Sequence, residues 1–446
     1  MRTRLHMAGI VTAALCSILH PQRLPAQVPF DATLALETFD RAWQIVYDTH
    51  FDTTFNGVDW VALRDELRPR VQSASALGEL RGTIREMLDR LGQSHFALIP
   101  KEVADTLDPA KGDPSAEVGD LGLEMRFVGD QLVVTTVDPD GPADRAGVRP
   151  GWVVTAVNDD RVSDLMERVR NAESRRPLDL LVWGAVQRRL QGPPHTPARV
   201  EFLDAGDAPT VRELTRRPAP GDAVKLGNLP TIFARFGAQR HPTPDGGSVG
   251  LLWFNAWMMP IMRQFDQAVD QYRDADGIVI DLRGNGGGVG AMIMGLAGHF
   301  IDDRESLGVM RTRTTTLQFV TNPRRVSTAG ERVTPYAGPV AVLTDRLSAS
   351  ASEVFAGGMQ AVSRVRVFGT ATAGAVLPAS MDRLPNGDVL YHAFGEFETV
   401  TGIRLEGRGV VPDEAVALTR PDLLAGRDAV LEAALRWIAH QRRDAP

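Results

Sequence analysis

Three serines alternate with alanines in the run Ser348-Ala-Ser-Ala-Ser352, which stands before Glu353 at the start of a predicted helix, about 350–361. A serine in this position is most often a cap for the backbone N–H groups of the first helical turn. Here the small alanines also leave room for a substrate backbone, and the N-terminal end of a helix stabilises negative charge at an attacked carbonyl. The run therefore predicts either a helix cap or a nucleophilic serine, and a nucleophilic serine needs a base.

The second unusual segment is the glycine-rich turn Asp281-Leu-Arg-Gly-Asn-Gly-Gly-Gly288, which follows the buried-strand pattern of residues 277–282. The turn superficially suggests a nucleotide-binding oxidoreductase, but its glycine spacing differs from the dinucleotide fingerprint and the next strand does not end in an acidic residue. A tight turn that needs positive φ explains one or two glycines, but less easily three in succession. Such a turn also exposes backbone N–H groups that can hold a developing oxyanion.

The histidines are the main candidates for a base, because no lysine follows Lys225. His299 is predicted to pack in the core, and His392, in a strand-like segment, is a reserve candidate. His95 stands out because it follows Ser94 directly beyond the end of a predicted helix. Residue type and position alone leave its role open.

The N-terminus has the pattern of an export signal over residues 1–26. Arg2 and Arg4 precede an apolar run over 7–19 that is too short to span a bilayer. The only cysteine, Cys16, lies inside this segment, so its removal would exclude disulfides, a cysteine nucleophile and cysteine-ligated zinc. The formal net charge of −7 provides no basic surface for nucleic acid.

The length of 446 residues predicts two or more domains, because single cores stop growing at roughly 250–300 residues. We expect a helical region over 27–116, a β-rich domain over 117–217 and an α/β core over 218–446. Strands and helices alternate in the core, which predicts a parallel sheet. In such sheets, sites form beyond the carboxyl ends of the strands, and both unusual turns lie at such ends.

The β-rich domain closely resembles a PDZ domain of the bacterial type. The resemblance rests on Gly141-Pro-Ala-Asp-Arg-Ala-Gly147 and on Arg149-Pro-Gly-Trp152. It implies that the loop Gly122, Leu123, Glu124 and Met125 binds the C-terminal carboxylate of a peptide that adds as a strand. Glu124 departs from this pattern by placing a negative charge in the loop. The alternative is a small β-domain that serves only for packing.

Read in order, these motifs resemble the C-terminal-processing (tail-specific) serine peptidases, and specifically their tricorn-like branch. The similarity begins with Phe55-Asn-Gly-Val-Asp-Trp60 in the helical N-terminal region and Leu91-Gly-Gln-Ser-His95 after it. It continues through the PDZ domain and both turns and ends with Gly409-Val-Val-Pro-Asp413. It implies an α/β fold with a ClpP/crotonase-like ββα-type peptidase core, an N-terminal helical region and an inserted PDZ β-domain. It also implies a serine-type endopeptidase that acts on exported proteins or peptides through an acyl-enzyme.

The resemblance implies roles for individual residues. Ser350, the middle serine, would be the nucleophile. The oxyanion would be held by the N–H groups of Ala351 and Gly287, with Gly288 as the alternative donor. In the processing-peptidase branch a lysine lies 25 residues after the nucleophile, but Ala375 stands at that position here.

In the tricorn-like branch a histidine takes the proton, supported by a neighbouring serine and a glutamate. Ser94 and His95 match that pair, and Glu406 stands where the glutamate is expected. The resemblance implies protein or peptide substrates, no cofactor, no metal site and a periplasmic or extracellular location, with oligomerisation possible. The alternative is a catalytically inactive relative that binds peptides through its PDZ domain and cleft.

Overall fold

The computed structural model describes residues 30–102, 118–171, 178–225, 231–243 and 246–443. The predicted signal peptide and the predicted boundary at residues 116 and 117 lie outside these ranges. Within them, no helix has both the length and the hydropathy that crossing a bilayer requires.

The N-terminal region is a set of helices packed around one apolar cluster. Its elements are α1 (Ala32–Thr49), a 3₁₀ turn (Phe55–Gly57), α2 (Trp60–Gln72), α3 (Leu77–Asp89) and the short strand β1 (Ala97–Ile99). Asp31 and Asp59 accept backbone N–H groups at the starts of α1 and α2, as short polar side chains do at helix N-caps. Phe39, Trp43 and Val46 recur at helical spacing on α1 and are buried in the cluster.

The next part of the chain forms a β-domain. Its strands are β2 (Gly119–Asp120), β3 (Leu123–Val128), β4 (Gln131–Val137), β5 (Val153–Val157), β6 (Asp160–Arg161), β7 (Pro197–Leu203), β8 (Pro209–Thr215) and β9 (Arg217–Pro218). Its helices are α4 (Pro142–Arg145), α5 (Val162–Asn171) and α6 (Leu178–Leu190). The main sheet has the order β3-β4-β5-β7-β8, with β6 paired to β5. β3 is therefore an edge strand of this sheet.

The remaining elements form the core. Its strands are β10 (Asp222–Val224), β11 (Ile232–Ala234), β12 (Phe236–Pro242), β13 (Ser248–Phe254), β14 (Gly277–Asp281), β15 (Ser306–Thr312), β16 (Thr316–Val320), β17 (Val340–Thr344), β18 (Arg366–Gly369), β19 (Ala379–Arg383), β20 (Val389–Ala393), β21 (Gly395–Thr399) and β22 (Glu414–Ala415). Its helices are α7 (Met259–Gln271), α8 (Met292–Ala297), α9 (Ala351–Ala361), α10 (Arg420–Leu424) and α11 (Ala429–Arg443).

The central sheet has the order β12-β13-β14-β17-β18-β22, and all its neighbours except β12 and β13 are parallel. One face packs against α11, and the other packs against α7, α8 and α9. Because both faces are covered, β14 and β17 are apolar up to their last residues, Asp281 and Thr344, instead of alternating. The predicted α/β class is confirmed. Since β14 and β17 run in parallel, the turns that follow them meet at one edge of the sheet.

A smaller antiparallel sheet connects the N-terminal region to the core. It has the order β1-β20-β19, and Ala97 of β1 lies opposite Tyr391 of β20. Leu384 and Leu390 extend the apolar cluster of the N-terminal helices. This pairing attaches the loop between α3 and β1, which carries Ser94 and His95, to the core.

Candidate active site

The three serines of the run occupy different environments. Ser348 and Ser352 are fully buried; the Ser348 hydroxyl donates to Leu282 O at 2.8 Å, and the Ser352 hydroxyl donates to Asn285 O at 3.0 Å. Ser350 is partly exposed at the N-cap of α9, with φ 54° and ψ −118°. That conformation is strained for a residue with a side chain. Ser348 and Ser352 therefore bind the two turns together, and Ser350 is the serine that a substrate can reach.

Asp345 joins the ends of β14 and β17. Its Oδ1 atom accepts hydrogen bonds from Gly284 N at 2.9 Å, Leu347 N at 2.9 Å and Ser348 N at 3.1 Å. Backbone N–H groups from both turns thus share one carboxylate oxygen. This arrangement holds the glycine-rich turn against the serine run.

Asn285, which is fully buried, organises the glycine-rich turn. Its side-chain amide donates to Phe254 O at 2.8 Å, its Oδ1 atom accepts from Gly287 N at 3.0 Å, and its backbone oxygen accepts from Ala349 N at 3.0 Å. Gly287 has φ 96°, and a Cβ atom there would lie 2.6 Å from Cβ of Ser350. The absence of a side chain at Gly287 is what lets the turn lie against Ser350.

The predicted oxyanion donors differ in their availability. The N–H of Gly287 is already bound to Asn285 Oδ1. The N–H groups of Gly288 and Ala351, by contrast, donate to no other atom in the described part of the chain. Ala351 is also the first residue of α9, where the helix leaves unpaired N–H groups.

Ser94, His95 and Glu406 form a hydrogen-bonded chain although Ser94 and Glu406 are 312 positions apart. Ser94 Oγ lies 2.6 Å from His95 Nδ1 and donates to Glu406 Oε2 at 3.0 Å, while Ser94 N donates to Glu406 Oε1 at 2.8 Å. A serine hydroxyl has one proton, so a hydroxyl that donates to the carboxylate must accept from Nδ1–H of the imidazole. In neutral His95 the lone pair is then on Nε2, where a general base needs it.

The carboxyl group of Glu406 lies mostly away from solvent. Burial raises its pKa above the ordinary value for glutamate, and the hydrogen bonds from Ser94 and Val376 oppose this rise. On the other side of the chain, the His95 ring packs against Tyr391, with ring centroids 5.6 Å apart. Gln93 Oε1 accepts a hydrogen bond from Nε2 of buried His50 at 2.9 Å, which anchors the loop just before Ser94.

Two consecutive residues connect this chain to the serine. Ala375 O accepts a hydrogen bond from Ser350 N at 2.8 Å, and Val376 N donates to Glu406 Oε2 at 3.0 Å. The position where the processing-peptidase branch has lysine is thus occupied by the buried Ala375, which serves as a backbone partner of Ser350. The structure therefore brings together the predicted residues Ser350, Ser94, His95 and Glu406 within one hydrogen-bonded network.

The reserve candidate His392 has hydrogen-bond partners other than Ser94, Glu406 and Ser350. His392 is buried, with Nε2 2.8 Å from Asp382 Oδ2 and Nδ1 3.1 Å from Thr49 Oγ1. His299 is fully buried in the core, as predicted, and its Nε2 atom lies 2.7 Å from Asp266 Oδ1. The His392 ring is thus held between two side chains, and the His299 ring is held by Asp266.

Three residues of the predicted PDZ loop, Leu123, Glu124 and Met125, belong to strand β3, and the segment already has internal partners. Gly122 N donates to Asp120 Oδ1 at 2.9 Å, and Met125 O accepts from the indole N–H of Trp183 on α6 at 3.1 Å. Leu123 is buried, and Glu124 lies 3.7 Å from the guanidinium of Arg235. The charge of Glu124, which departs from the PDZ pattern, is therefore paired within the protein.

The PDZ strand β3 also touches the two turns near Ser350. Arg126 donates to Arg283 O at 3.3 Å, and its Nε atom lies 3.6 Å from Asp345 Oδ2. Arg346, in the serine-bearing segment, pairs with Asp179 of α6 at 2.9 Å. These contacts attach the PDZ domain directly to the elements that position the serine.

Sequence reasoning missed three residues that shape the site, namely Asn285, Asp345 and Glu353. Asn285 and Asp345 lie inside the motifs, but a sequence does not show which atoms their side chains bind. Glu353 directly follows the serine run, and the sequence does not show that its carboxylate is fully buried beside Ser350.

Comparison with known proteins gives three family matches along the chain. Residues 248–416 match the model of peptidase family S41, residues 35–89 match the tricorn protease C1 domain, and residues 119–181 match a PDZ domain. The α/β core, its serine-headed helix and these matches define the protein as a serine peptidase with a PDZ domain.

The similarity extends over the whole chain. A carboxyl-terminal-processing protease of Synechocystis sp. is 24% identical, with 97% of this chain and 93% of that protein covered. The photosystem II D1 C-terminal processing protease has the same fold, with a TM-score of 0.59, 23% identity and coverage of 90% of this chain and 96% of that chain. The tricorn protease matches with a TM-score of 0.50 and 17% identity, over 93% of this chain and 37% of its own. These similarities support a C-terminal-processing serine peptidase with a PDZ domain, as the motifs predicted, and they do not favour the inactive alternative.

Proposed function

We propose that this protein cleaves peptide bonds with Ser350 as nucleophile and His95 as general base, oriented by Ser94 and Glu406. The observation that carries the proposal is the adjacency of Ala375 and Val376, which bind Ser350 N and Glu406 respectively. The nucleophile Ser350 therefore binds the first of two consecutive residues, and Glu406 of the histidine relay binds the second. The free N–H groups of Gly288 and Ala351 support these two residues as the oxyanion donors.

In the proposed reaction, Nε2 of His95 takes the hydroxyl proton as Ser350 Oγ attacks the carbonyl carbon. The negative charge that develops on the carbonyl oxygen is held by the N–H groups of Gly288 and Ala351. The protonated imidazole is stabilised through Ser94 by Glu406, and it then donates its proton to the leaving amine. Water, deprotonated by the same imidazole, releases the acyl group and restores Ser350.

We further propose that the substrates are exported proteins processed near their C-termini. The processing relatives support this substrate class, and the export pattern of residues 1–26 supports a periplasmic or extracellular location. The PDZ domain, in contact with the serine-bearing segment through Arg346, supports recruitment of a protein substrate. Peptides that differ only in a free or an amidated C-terminus should therefore be cleaved at different rates.

Active-site labelling with a fluorophosphonate tests the assignment. The wild-type protein should be labelled on Ser350, and Ser350→Ala and His95→Ala should not be labelled above background. Ser380→Ala and His241→Ala are matched controls, because Ser380 and His241 lie outside the site, and both should be labelled like the wild type. A label that peptide mapping finds on another serine, or rapid labelling of His95→Ala, would exclude the proposed mechanism.

A further inference from the structure

Glu353, the third residue of α9, has a carboxylate with an unusual set of partners. The residue is fully buried, and four hydrogen bonds reach its two oxygens. Oε1 accepts from Thr372 Oγ1 at 2.5 Å and from Gly374 N at 2.7 Å. Oε2 accepts from Ala375 N at 2.9 Å and from Ser350 N at 3.0 Å. One hydroxyl and three backbone N–H groups thus hold the carboxylate, without a cation among them.

A glutamate at this position ordinarily bonds only to the N-cap residue of its own helix. Here Glu353 bonds to the N-cap residue Ser350 and also to residues 372–375, which belong to a separate segment. Burial raises the pKa of Glu353 to about 7, although the four hydrogen bonds oppose this rise. Both oxygens already accept two hydrogen bonds each, so only the ionised carboxylate can keep all four.

The same bonds hold Ser350 in its strained conformation. The N–H of Ser350 is shared between Glu353 Oε2 and Ala375 O, and Ala375 N donates to the same oxygen of Glu353. The next residue, Val376, binds Glu406. Glu353 therefore joins the nucleophile to the segment that holds the histidine relay.

We propose that the ionised carboxylate of Glu353 is a positioning group that keeps Ser350 in register with His95. The inference rests on the proposed function of Ser350 and deepens it. Protonation removes at least one of the four hydrogen bonds and lets Ser350 shift relative to the base. Acylation then requires that both His95 and Glu353 are deprotonated, so the rate should fall in acid as either group takes up a proton.

The charged and titratable side chains near Glu353 do not bind its carboxylate. Glu406 and Arg408 lie on the loop that packs beside Gly374, and His95 lies beyond Ser94. None of these three supplies one of the four hydrogen bonds to Glu353. Ionisation of Glu353 is thus set by its burial and by the four neutral donors.

The test is the rate of fluorophosphonate labelling and of peptide cleavage from about pH 5 to pH 9 in wild type, Glu353→Gln and the matched control Glu432→Gln. Glu432 is a partly exposed glutamate on α11, far along the chain from the site. In wild type and control, a plot of log rate against pH should fall in acid with a slope approaching two, because two groups must be deprotonated. Glu353→Gln should show a slope of one and a kcat about 10²-fold lower, with KM little changed, as a displacement of about 1 Å would produce.

A second pair of variants keeps the proposal testable if Glu353→Gln does not fold. Thr372→Val removes the hydroxyl donor, which raises the pKa of Glu353 further and should move the acid limb of activity to higher pH. Thr372→Ser keeps the donor and should restore the wild-type profile. The positioning role would be overturned if Thr372→Val lost activity in acid at the same pH as the wild type. It would also be overturned if Glu353→Gln were slow but kept the wild-type slope of log rate against pH.

These outcomes are distinct from failure of the proposed function. If Glu353→Gln is labelled on Ser350 at the wild-type rate, only the role of Glu353 is excluded. If the wild-type label maps to a serine other than Ser350, the proposed nucleophile itself is wrong.

Discussion

A single methyl group at position 287 is expected to displace the nucleophile. In Gly287→Ala the new Cβ atom would lie 2.6 Å from Cβ of Ser350, 2.8 Å from Ala349 O and 3.0 Å from Ala351 N. Ordinary carbon–carbon contacts are about 3.5–4.0 Å, so Ser350 must move by about 1 Å. A misplacement of that size lowers the rate by about 10²-fold. The backbone at φ 96° is also unfavourable for alanine, which adds about 1–3 kcal/mol of strain.

The matched control is Gly286→Ala. A Cβ atom at Gly286 would meet no atom within 4 Å, and the residue does not have positive φ. We expect Gly286→Ala to keep the wild-type labelling rate and melting temperature, because exposed substitutions of this kind change stability by about 0.5 kcal/mol or less. Gly287→Ala should be labelled about 10²-fold more slowly and melt earlier. Equal labelling rates for the two variants would refute the inferred contact between the glycine-rich turn and Ser350.

Two other predictions concern hydrogen bonds to carboxylates. Ser94→Ala and Glu406→Gln should each lower kcat/KM by about 10–100-fold, since each removes hydrogen bonds worth about 1–3 kcal/mol. The double variant should be no slower than the slower single variant, because both residues act through His95, and additive losses would contradict this relay. Asp428→Asn should lower the free energy of unfolding in urea by about 1.5–3 kcal/mol at pH 7, because the charged hydrogen bonds to buried Arg283 are lost. Burial raises the pKa of Asp428, but Arg283 more than offsets this and lowers it; the stabilisation is therefore present above the unfolded pKa of about 4 and disappears as the pH falls through the folded pKa. A stability difference that persists in acid would show that the ion pair is not its source.

The core strands and the helix after the serine run were predictable because their signals are local. The apolar run of β14 indicates a strand buried on both faces, and the predicted range, 277–282, exceeds the observed Gly277–Asp281 by one residue. The helix predicted from about residue 350 is α9, Ala351–Ala361. The motifs also indicated the resemblance to C-terminal-processing serine peptidases, since the two turns together are specific.

The sequence did not decide which glycine donates to the oxyanion or which histidine is the base. Gly287 and Gly288 are adjacent glycines, and only the position of the Asn285 side chain makes one N–H occupied and leaves the other free. His95 stands out by its position after Ser94, but residue type and position left its role open. In the structure, burial between Asp382 and Thr49 sets the reserve candidate His392 apart.

By itself, the sequence determined the order of the elements, the two turns at the carboxyl ends of strands and the absence of a lysine after Lys225. Periodicity and turn residues depend on contacts within a few positions, so a linear pattern records them. Only the tertiary structure decided that Glu406 binds Ser94 across 312 positions and that residues 372–375 surround Glu353. Such hydrogen bonds depend on how distant segments pack, and packing fixes their geometry to within tenths of an ångström.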